Sequence, residues 1–150
     1  MPIPRYNPDS FGFLINDIAR LYRAEIDRRI ADAGLELTAA EARTLVHTAR
    51  HAPVRQTVLA EHMGVEAMTV SGYLDRLEKA GLVMRSADPC DRRAKLVELT
   101  DAADHVLNVV DEISRAAREL VASILAPGEW EMLNARLKNI REHLTQRLRG

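Results

Sequence analysis

The stretch LVMRSADPCDRRAKLVELT, residues 82–100, constrains this chain more than any other. Two runs rich in β-branched and long apolar residues flank a polar tip, Asp88-Pro89-Cys90-Asp91-Arg92-Arg93. Proline and aspartate break regular structure there, so the segment reads as a β-hairpin with a charged turn. Directly upstream lies a helix-turn-helix pattern. The spacing predicts a short helix over 56–63, with Leu59, Ala60 and Met63 on one side, then Gly64, then a second helix from Ala67 to Ala80. A small residue at Ala60 lets two helices approach, and Gly64 can take the left-handed turn at no steric cost. Val70, Leu74 and Leu77 recur at helical spacing as a buried stripe, and Gly81 ends the helix as a glycine cap. A helical hairpin followed by a strand hairpin with arginines at its tip is the layout of a winged helix. That layout points to duplex DNA.

The opposite face of the second helix fits such a role. Ala67, Met68, Thr69, Ser71 and Gly72 are short or uncharged, a surface that can enter a major groove. Thr69 and Ser71 are candidates for base or phosphate contacts. Short hydroxyls discriminate weakly, so specificity would draw on several contacts and on DNA shape. Arg76 lies a turn further on and could hold a phosphate, or pair with Asp75 or Glu78 on the helix surface. Gln56 and Thr57 open the first helix of the motif, where backbone amides suit a phosphate. Thr38 could do the same at its own helix start, although capping alone explains it. At the tip, Arg92 and Arg93 can enter a narrow minor groove, with Lys95 just behind them. Asp91 reads as a strut that fixes one arginine by a charge-assisted bond.

Asp91-x-Arg93 followed by Leu96-Val97-Glu98-Leu99-Thr100 resembles the signature of the multiple antibiotic resistance regulator (MarR) family. So does Leu74-Asp75-Arg76-Leu77-Glu78-Lys79-Ala80-Gly81-Leu82-Val83 before it. The resemblance extends over nearly the whole chain. It implies a homodimeric winged helix-turn-helix transcription regulator, usually a repressor released by a small molecule or by oxidation. It also implies that Arg93 reaches into the minor groove and that Asp91 orients it. Gly72 stands where many relatives carry an arginine or another polar side chain.

The rest of the sequence is consistent with a mainly α fold carrying a small β-wing. A single domain of 150 residues that is 47% hydrophobic and 29% charged can bury a core. A first helix is expected from Asp9 to Ala33, with Leu14, Ile18, Leu21, Tyr22, Ile26 and Ile30 as its stripe. Thr38-Ala39-Ala40-Glu41 is a capping box opening a helix to His51. Pro53 ends it, and Val54 can add a one- or two-residue strand to the wing. Thr100 reads as the N-cap of a helix carrying Val106, Val110, Ile113, Ala117, Leu120 and Ile124. Ala126-Pro127-Gly128 breaks that helix, and a last one begins near Trp130. Its Leu133, Leu137, Ile140 and Leu144 alternate in steps of four and three, the seam of paired helices. Together with Phe11, Leu14 and Ile18 of the first helix they are the expected dimer interface. The reading module would then span about 36–99, and dimerisation helices about 9–33 and 101–148.

Charge is segregated along the chain. The formal net charge is −1, yet Arg76, Lys79, Arg85, Arg92, Arg93 and Lys95 outnumber Glu78, Asp88 and Asp91 within residues 76–95. Because salt screens beyond about 8 Å, the local field at the phosphates is what counts. The expected partners are a pseudo-palindromic double-stranded operator and a second copy of the chain; the resemblance to the MarR family further implies a small-molecule effector held near the first, second and fifth helices. No run of about 18 apolar residues marks a membrane span. The opening MPIPRYNPDSF has two early prolines and lacks a signal-peptide core, so the expected setting is cytoplasmic.

Other chemistry is weakly supported. The single cysteine, Cys90, excludes an internal disulfide and a Cys-rich metal site. Its exposed turn raises an oxidant-sensing alternative, with the neighbouring carboxylates opposing the thiolate and the arginines favouring it. His47 and His51 lie one turn apart and could share a metal, but no Cys and no HExxH arrangement accompanies them. No nucleophile–base pair or phosphate-cradling loop suggests an enzyme or a cofactor. The other alternative is a dimeric winged-helix interaction protein that reads no specific DNA, motivated by Gly72 and the near-neutral charge.

Overall fold

A computed structural model of the protein describes residues 5–150, so Pro2 and Pro4 of the N-terminal reading lie outside it. The described residues form two compact units, one ending at Ser114 and the other spanning Arg115–Gly150. The first contains α1 (Phe11–Asp32), α2 (Ala39–His51), β1 (Val54–Arg55), α3 (Gln56–Met63), α4 (Ala67–Lys79), β2 (Val83–Asp88) and β3 (Asp91–Leu99). It also contains the start of α5 (Ala103–Ala122); the second unit holds the end of α5 and α6 (Glu129–Arg149). Mainly helical with a small antiparallel sheet in the order β1-β3-β2, this is the winged-helix arrangement expected from the sequence. Among the described residues, no helix is long and apolar enough to cross a membrane.

Local chemistry accounts for the helix boundaries. At the start of α2 the Thr38 hydroxyl accepts from the Glu41 amide at 3.2 Å, and the Glu41 carboxylate accepts from the Thr38 amide at 3.2 Å. That reciprocal box satisfies two donors that would otherwise be orphaned. Gly64 has φ +65°, and the Val65 and Gly64 amides return to the Ala60 and Glu61 carbonyls. Gly81 repeats the device at φ +76°, with Leu82 and Gly81 returning to Leu77 and Glu78. Both are Schellman closures, and both need the left-handed backbone that glycine adopts freely.

The core fuses helices and wing. Val70, Leu74 and Leu77 of α4 pack with Leu45 of α2, Leu59 and Ala60 of α3, and Val83 and Val97 of the wing. β1 lies against β3 with Val54 opposite Val97, so the tiny strand anticipated at Val54 secures the wing to the start of α3. A smaller cluster joins Ile30 of α1, Ala42 of α2 and Val110 of α5.

Two expectations fail in detail. Thr100 does not cap α5: the helix starts at Ala103, and the Thr100 hydroxyl donates to the Gly81 carbonyl at 2.5 Å. The carbonyl freed at the end of α4 outcompetes the helix start for that hydroxyl. Ile124 lies beyond the end of α5 and is exposed, as is Leu120. Along the apolar stripe of α1, Ile30 is buried and Leu14, Ile18 and Leu21 are exposed.

Leu74 has no solvent exposure and sits where helices and wing meet. Leu74→Ala is expected to cost about 2–5 kcal/mol, because the cavity cannot collapse around a rigid sheet and three helices. Thr38→Ala removes one capping bond and should cost about 1 kcal/mol. Urea unfolding followed by circular dichroism reads both, and the reverse order of losses would contradict this assignment of the core.

Candidate nucleic-acid interface

The outward face of α4 starts at its N-terminus. Met68 is 87% exposed, and Ala67 and Thr69 are exposed with it. Ser71 and Gly72 are half-buried. A Cβ on Gly72 would lie 4.0 Å from a guanidinium nitrogen of Arg76, so the residue borders the Arg76 side chain without being crowded by it. Gln56 and Thr57 open α3 as expected.

Arg76 has a partner that the sequence did not reveal. Its Nε donates to the buried Glu41 carboxylate, whose other oxygen closes the α2 capping box. Arg76 therefore pairs with neither Asp75 nor Glu78, the two carboxylates nearest in sequence. It also lies 5.6 Å from the centre of the Tyr73 ring. More than half of its side chain remains exposed, so a phosphate can still reach the guanidinium.

Asp75 and Glu78 are committed elsewhere, to Arg85 of β2. Its Nη2 lies 2.5 Å from Asp75 Oδ1 and 3.2 Å from Glu78 Oε1, and its Nη1 lies 3.4 Å from Gln56 Oε1. The Arg85 side chain is only 17% exposed. One guanidinium thus ties α4, β2 and the first residue of α3 together. Its hydrogen bond holds the Glu78 carboxyl below its ordinary range, and Glu78 in turn, against the cost of burial, raises the Arg85 pKa. Arg85 was counted in the basic balance but not assigned this role, because nothing in the linear spacing connects it to Gln56.

The wing tip is built around a second buried carboxylate. Asp88 accepts from the Cys90 amide at 2.8 Å and from Arg55 Nε at 2.6 Å. The Cys90 amide above all, and Arg55 beside it, keep the Asp88 carboxyl below its ordinary value despite burial. Arg55 belongs to β1, immediately before α3, so this contact locks the wing tip to the helix-turn-helix. Arg55 is a residue the sequence reading did not single out.

The pairing of β2 with β3 explains why the arginines project. Ala87 pairs with Lys95, but the next residue, Asp88, pairs with Asp91. Arg92, Arg93 and Ala94 therefore have no counterparts on β2 and form a bulge, the device by which strands re-aim side chains. Arg93 is 95% exposed, with its amide 3.0 Å and its Nε 3.5 Å from Asp91 Oδ1. Among the described residues, Arg92 and Lys95 have no carboxylate within ion-pair distance. A crevice of about 130 Å³ runs between Arg55, Gln56 and Thr57 on one side and Arg93, Ala94 and Lys95 on the other. The structure thus brings the α3 start together with Arg93 and Lys95 of the wing. Thr38 caps α2 through Glu41, the same carboxylate that holds Arg76.

The remaining candidates occupy other surfaces. Phe11, Leu14 and Ile18 are exposed on α1. On α6, Leu133, Leu137, Ile140 and Leu144 are exposed, and no residue of that helix is buried. A cleft of about 320 Å³ opens among α1, α2 and α5. Tyr22, Ile26, Ile30 and Val110 give it apolar walls, and Arg23, Arg43 and His47 also line it. Arg43 is ion-paired with Asp27 of α1. Cys90 is exposed at the wing tip. Among the described residues, no group of three or more His, Cys, Asp or Glu side chains is placed to hold a metal ion, so the His47–His51 pair gains no further ligand.

Comparison with known proteins agrees with this architecture. Residues 37–95 match the model of the MarR family. A crystal structure of MarR superposes with a TM-score of 0.82 at 24% identity, covering 97% of this chain and 98% of that one. A probable transcriptional regulator from Pseudomonas aeruginosa is 32% identical, with a TM-score of 0.63 over 88% of this chain and 97% of its own. The MepR–DNA complex of S. aureus gives a TM-score of 0.68 at 22% identity, covering 89% and 98%. The 32% identity across nearly all of the Pseudomonas relative, with the family match over helix-turn-helix and wing, makes this chain a member of the MarR family of winged-helix transcription regulators.

Proposed function

We propose that the protein is a homodimeric, sequence-specific binder of double-stranded DNA, acting in the cytoplasm as a repressor that a small-molecule effector releases. The observation that carries this reading is the bulge at Arg92–Ala94, which leaves two exposed arginines without partners on β2 and sets Arg93 across a crevice from the start of α3. Arginines so presented suit a narrow minor groove, and Met68, Thr69 and Ser71 suit the adjacent major groove. Gln56, Thr57, Arg76 and Lys95 would then position the phosphate backbone, and Asp91 would orient Arg93. The DNA complex of the MepR relative supports the same assignment. A regulator of this kind carries out no chemistry on its partner, in keeping with the absence of any nucleophile–base pattern in the sequence.

The dimer follows from uncovered apolar surface. Exposed Phe11, Leu14, Ile18 and Leu21 on α1, and the Leu133–Leu137–Ile140–Leu144 face of α6, are too apolar to remain in water. A second copy would cover them, and the whole chain would act as one MarR-like domain with about 36–99 reading DNA and the terminal helices pairing. Two recognition helices must lie roughly 34 Å apart to read a two-fold operator. The cleft among α1, α2 and α5 adjoins elements of both parts of that domain, and its apolar walls with Arg23 suit a weak acid carrying an apolar body. A ligand that favours one spacing over the other has differential affinity for the two states and so controls DNA binding.

Three outcomes test this reading. Arg93→Ala should weaken binding to duplex from upstream of the protein's own gene by about 1–3 kcal/mol, measured by fluorescence anisotropy at about 0.15 M salt. The fold should be unaffected, because Arg93 is 95% exposed. Equal affinity of both proteins would favour the interaction-protein alternative, to which the internal pairing of Arg55, Arg76 and Arg85 lends some support. Lys95→Ala should lower the slope of log affinity against log salt by about 1. Leu137→Arg with Leu144→Arg should give monomers in sedimentation velocity, and a persistent dimer would place the interface elsewhere.

A further inference from the structure

Three histidines stack between α2 and α3. His51, in the last turn of α2, faces His62, in the last turn of α3, with ring centroids 3.9 Å apart and planes 4° from parallel. His47, one turn before His51, lies 6.3 Å from it at 12°. The His47 Nδ1 is buried and finds no hydrogen-bond partner among the protein's atoms, while the residue itself lines the cleft among α1, α2 and α5. The stack therefore runs from the wall of that cleft to the first helix of the helix-turn-helix.

The surroundings favour uncharged rings. Burial above all, then His51, Arg50, His62 and Arg43, holds the His47 imidazole below its ordinary value. Burial, His62 and Arg50 act in the same direction on His51. From α1 the cleft contributes Arg23, and Asp27 is engaged by Arg43. The α5 residues lining it, Val110 and Ser114, carry no charge. On α3, Glu61 precedes His62 and is exposed. Charge on both stacked rings at once would set like charges only 3.9 Å apart, an arrangement that Coulomb repulsion disfavours.

We propose that this stack is a proton-responsive joint in the reading module: protonation forces His62 from His51, loosens α3 from α2 and releases DNA in mildly acidic conditions. The proposal rests on the DNA-binding reading above, since DNA release is its output. The mechanical part is independent of DNA. The folded state disfavours protons on His47 and His51 relative to the unfolded chain, whose histidines titrate near 6.5. Their contribution to stability is therefore present above pH 6.5 and is lost as pH falls below it. A loosened α3 carries Gln56 and Thr57 with it, and the Gly64 turn passes the displacement to α4. None of these rings makes the wing contacts, so the effect is distinct from neutralising a DNA contact.

The test compares the full-length wild type with His51→Gln/His62→Gln, and with His62→Gln alone in case the double variant folds poorly. Anisotropy with the upstream duplex is measured from pH 8 to pH 5 at constant ionic strength. The wild type should lose tenfold or more in affinity between pH 7.5 and 5.5, while the double variant stays within about twofold, equivalent to ~0.4 kcal/mol. His105→Gln/His143→Gln, lying outside the stack, should titrate like the wild type. A wild type with flat affinity, or a double variant with the wild-type slope, overturns the proposal. Thermal denaturation over the same pH range reads the joint without DNA. The wild-type midpoint should fall more steeply with acid than that of the variants, and parallel curves also overturn the proposal. If no protein binds the duplex at any pH while the denaturation curves diverge, the DNA reading fails and the proton-sensitive joint stands.

Discussion

The placement of the wing on the helix-turn-helix depends on the packing of Val97 against the α4 stripe. Val97 is fully buried, and so are Val70, Leu74 and Leu77. Hydrophobic burial of this kind is non-directional, but it welds a strand of the wing to the recognition helix at one fixed register. A one-residue slip of β3 would turn Val97 to solvent and bring Leu96 or Glu98 inward. The bulge at the tip then starts at a defined distance from α4. Without that core the wing tip and α4 would have no fixed separation.

Around the core, charge is used chiefly for alignment. Arg55, Arg76 and Arg85 each hold a carboxylate on another element, and in two of these pairs the carboxylate, Asp88 or Glu41, is buried. Breaking such a pair strands a buried charge, which costs far more than the pair contributes over an apolar substitute. The arrangement thus favours one geometry over others more than it raises stability. It also reduces the positive charge on offer. Six cations in residues 76–95 suggest a broad basic face, whereas Arg76 and Arg85 are engaged internally and the outward cations gather near the wing. A near-neutral chain can in this way carry a local positive field at the place where phosphates would lie.

The elements were largely legible in the sequence. Period-3.6 stripes, the capping box at Thr38 and the glycines at 64 and 81 report local chemistry, which acts over a few residues and leaves a local trace. Val54 was readable as a strand because Pro53 interrupts the helix before it. Thr100 misled because a threonine followed by aspartates has the same appearance whether its hydroxyl caps the next helix or bonds a carbonyl 19 residues back. The choice between those two partners depends on where Gly81 ends, and spacing carries no record of it. The pairing of Arg76 was missed for the same reason: it found Glu41 35 residues away rather than a neighbour in its own helix.

The sequence by itself determined the identity and order of the elements, the winged-helix architecture and the family, because periodicity, caps and a contiguous motif are written along the chain. Tertiary structure decided which arginines are engaged and which are free, since that depends on carboxylates brought from distant segments. It decided that Arg92 and Arg93 stand in a bulge, because register is a property of two strands at once. It also brought His62 against His51, 11 positions apart on different helices, at a separation that no spacing rule encodes.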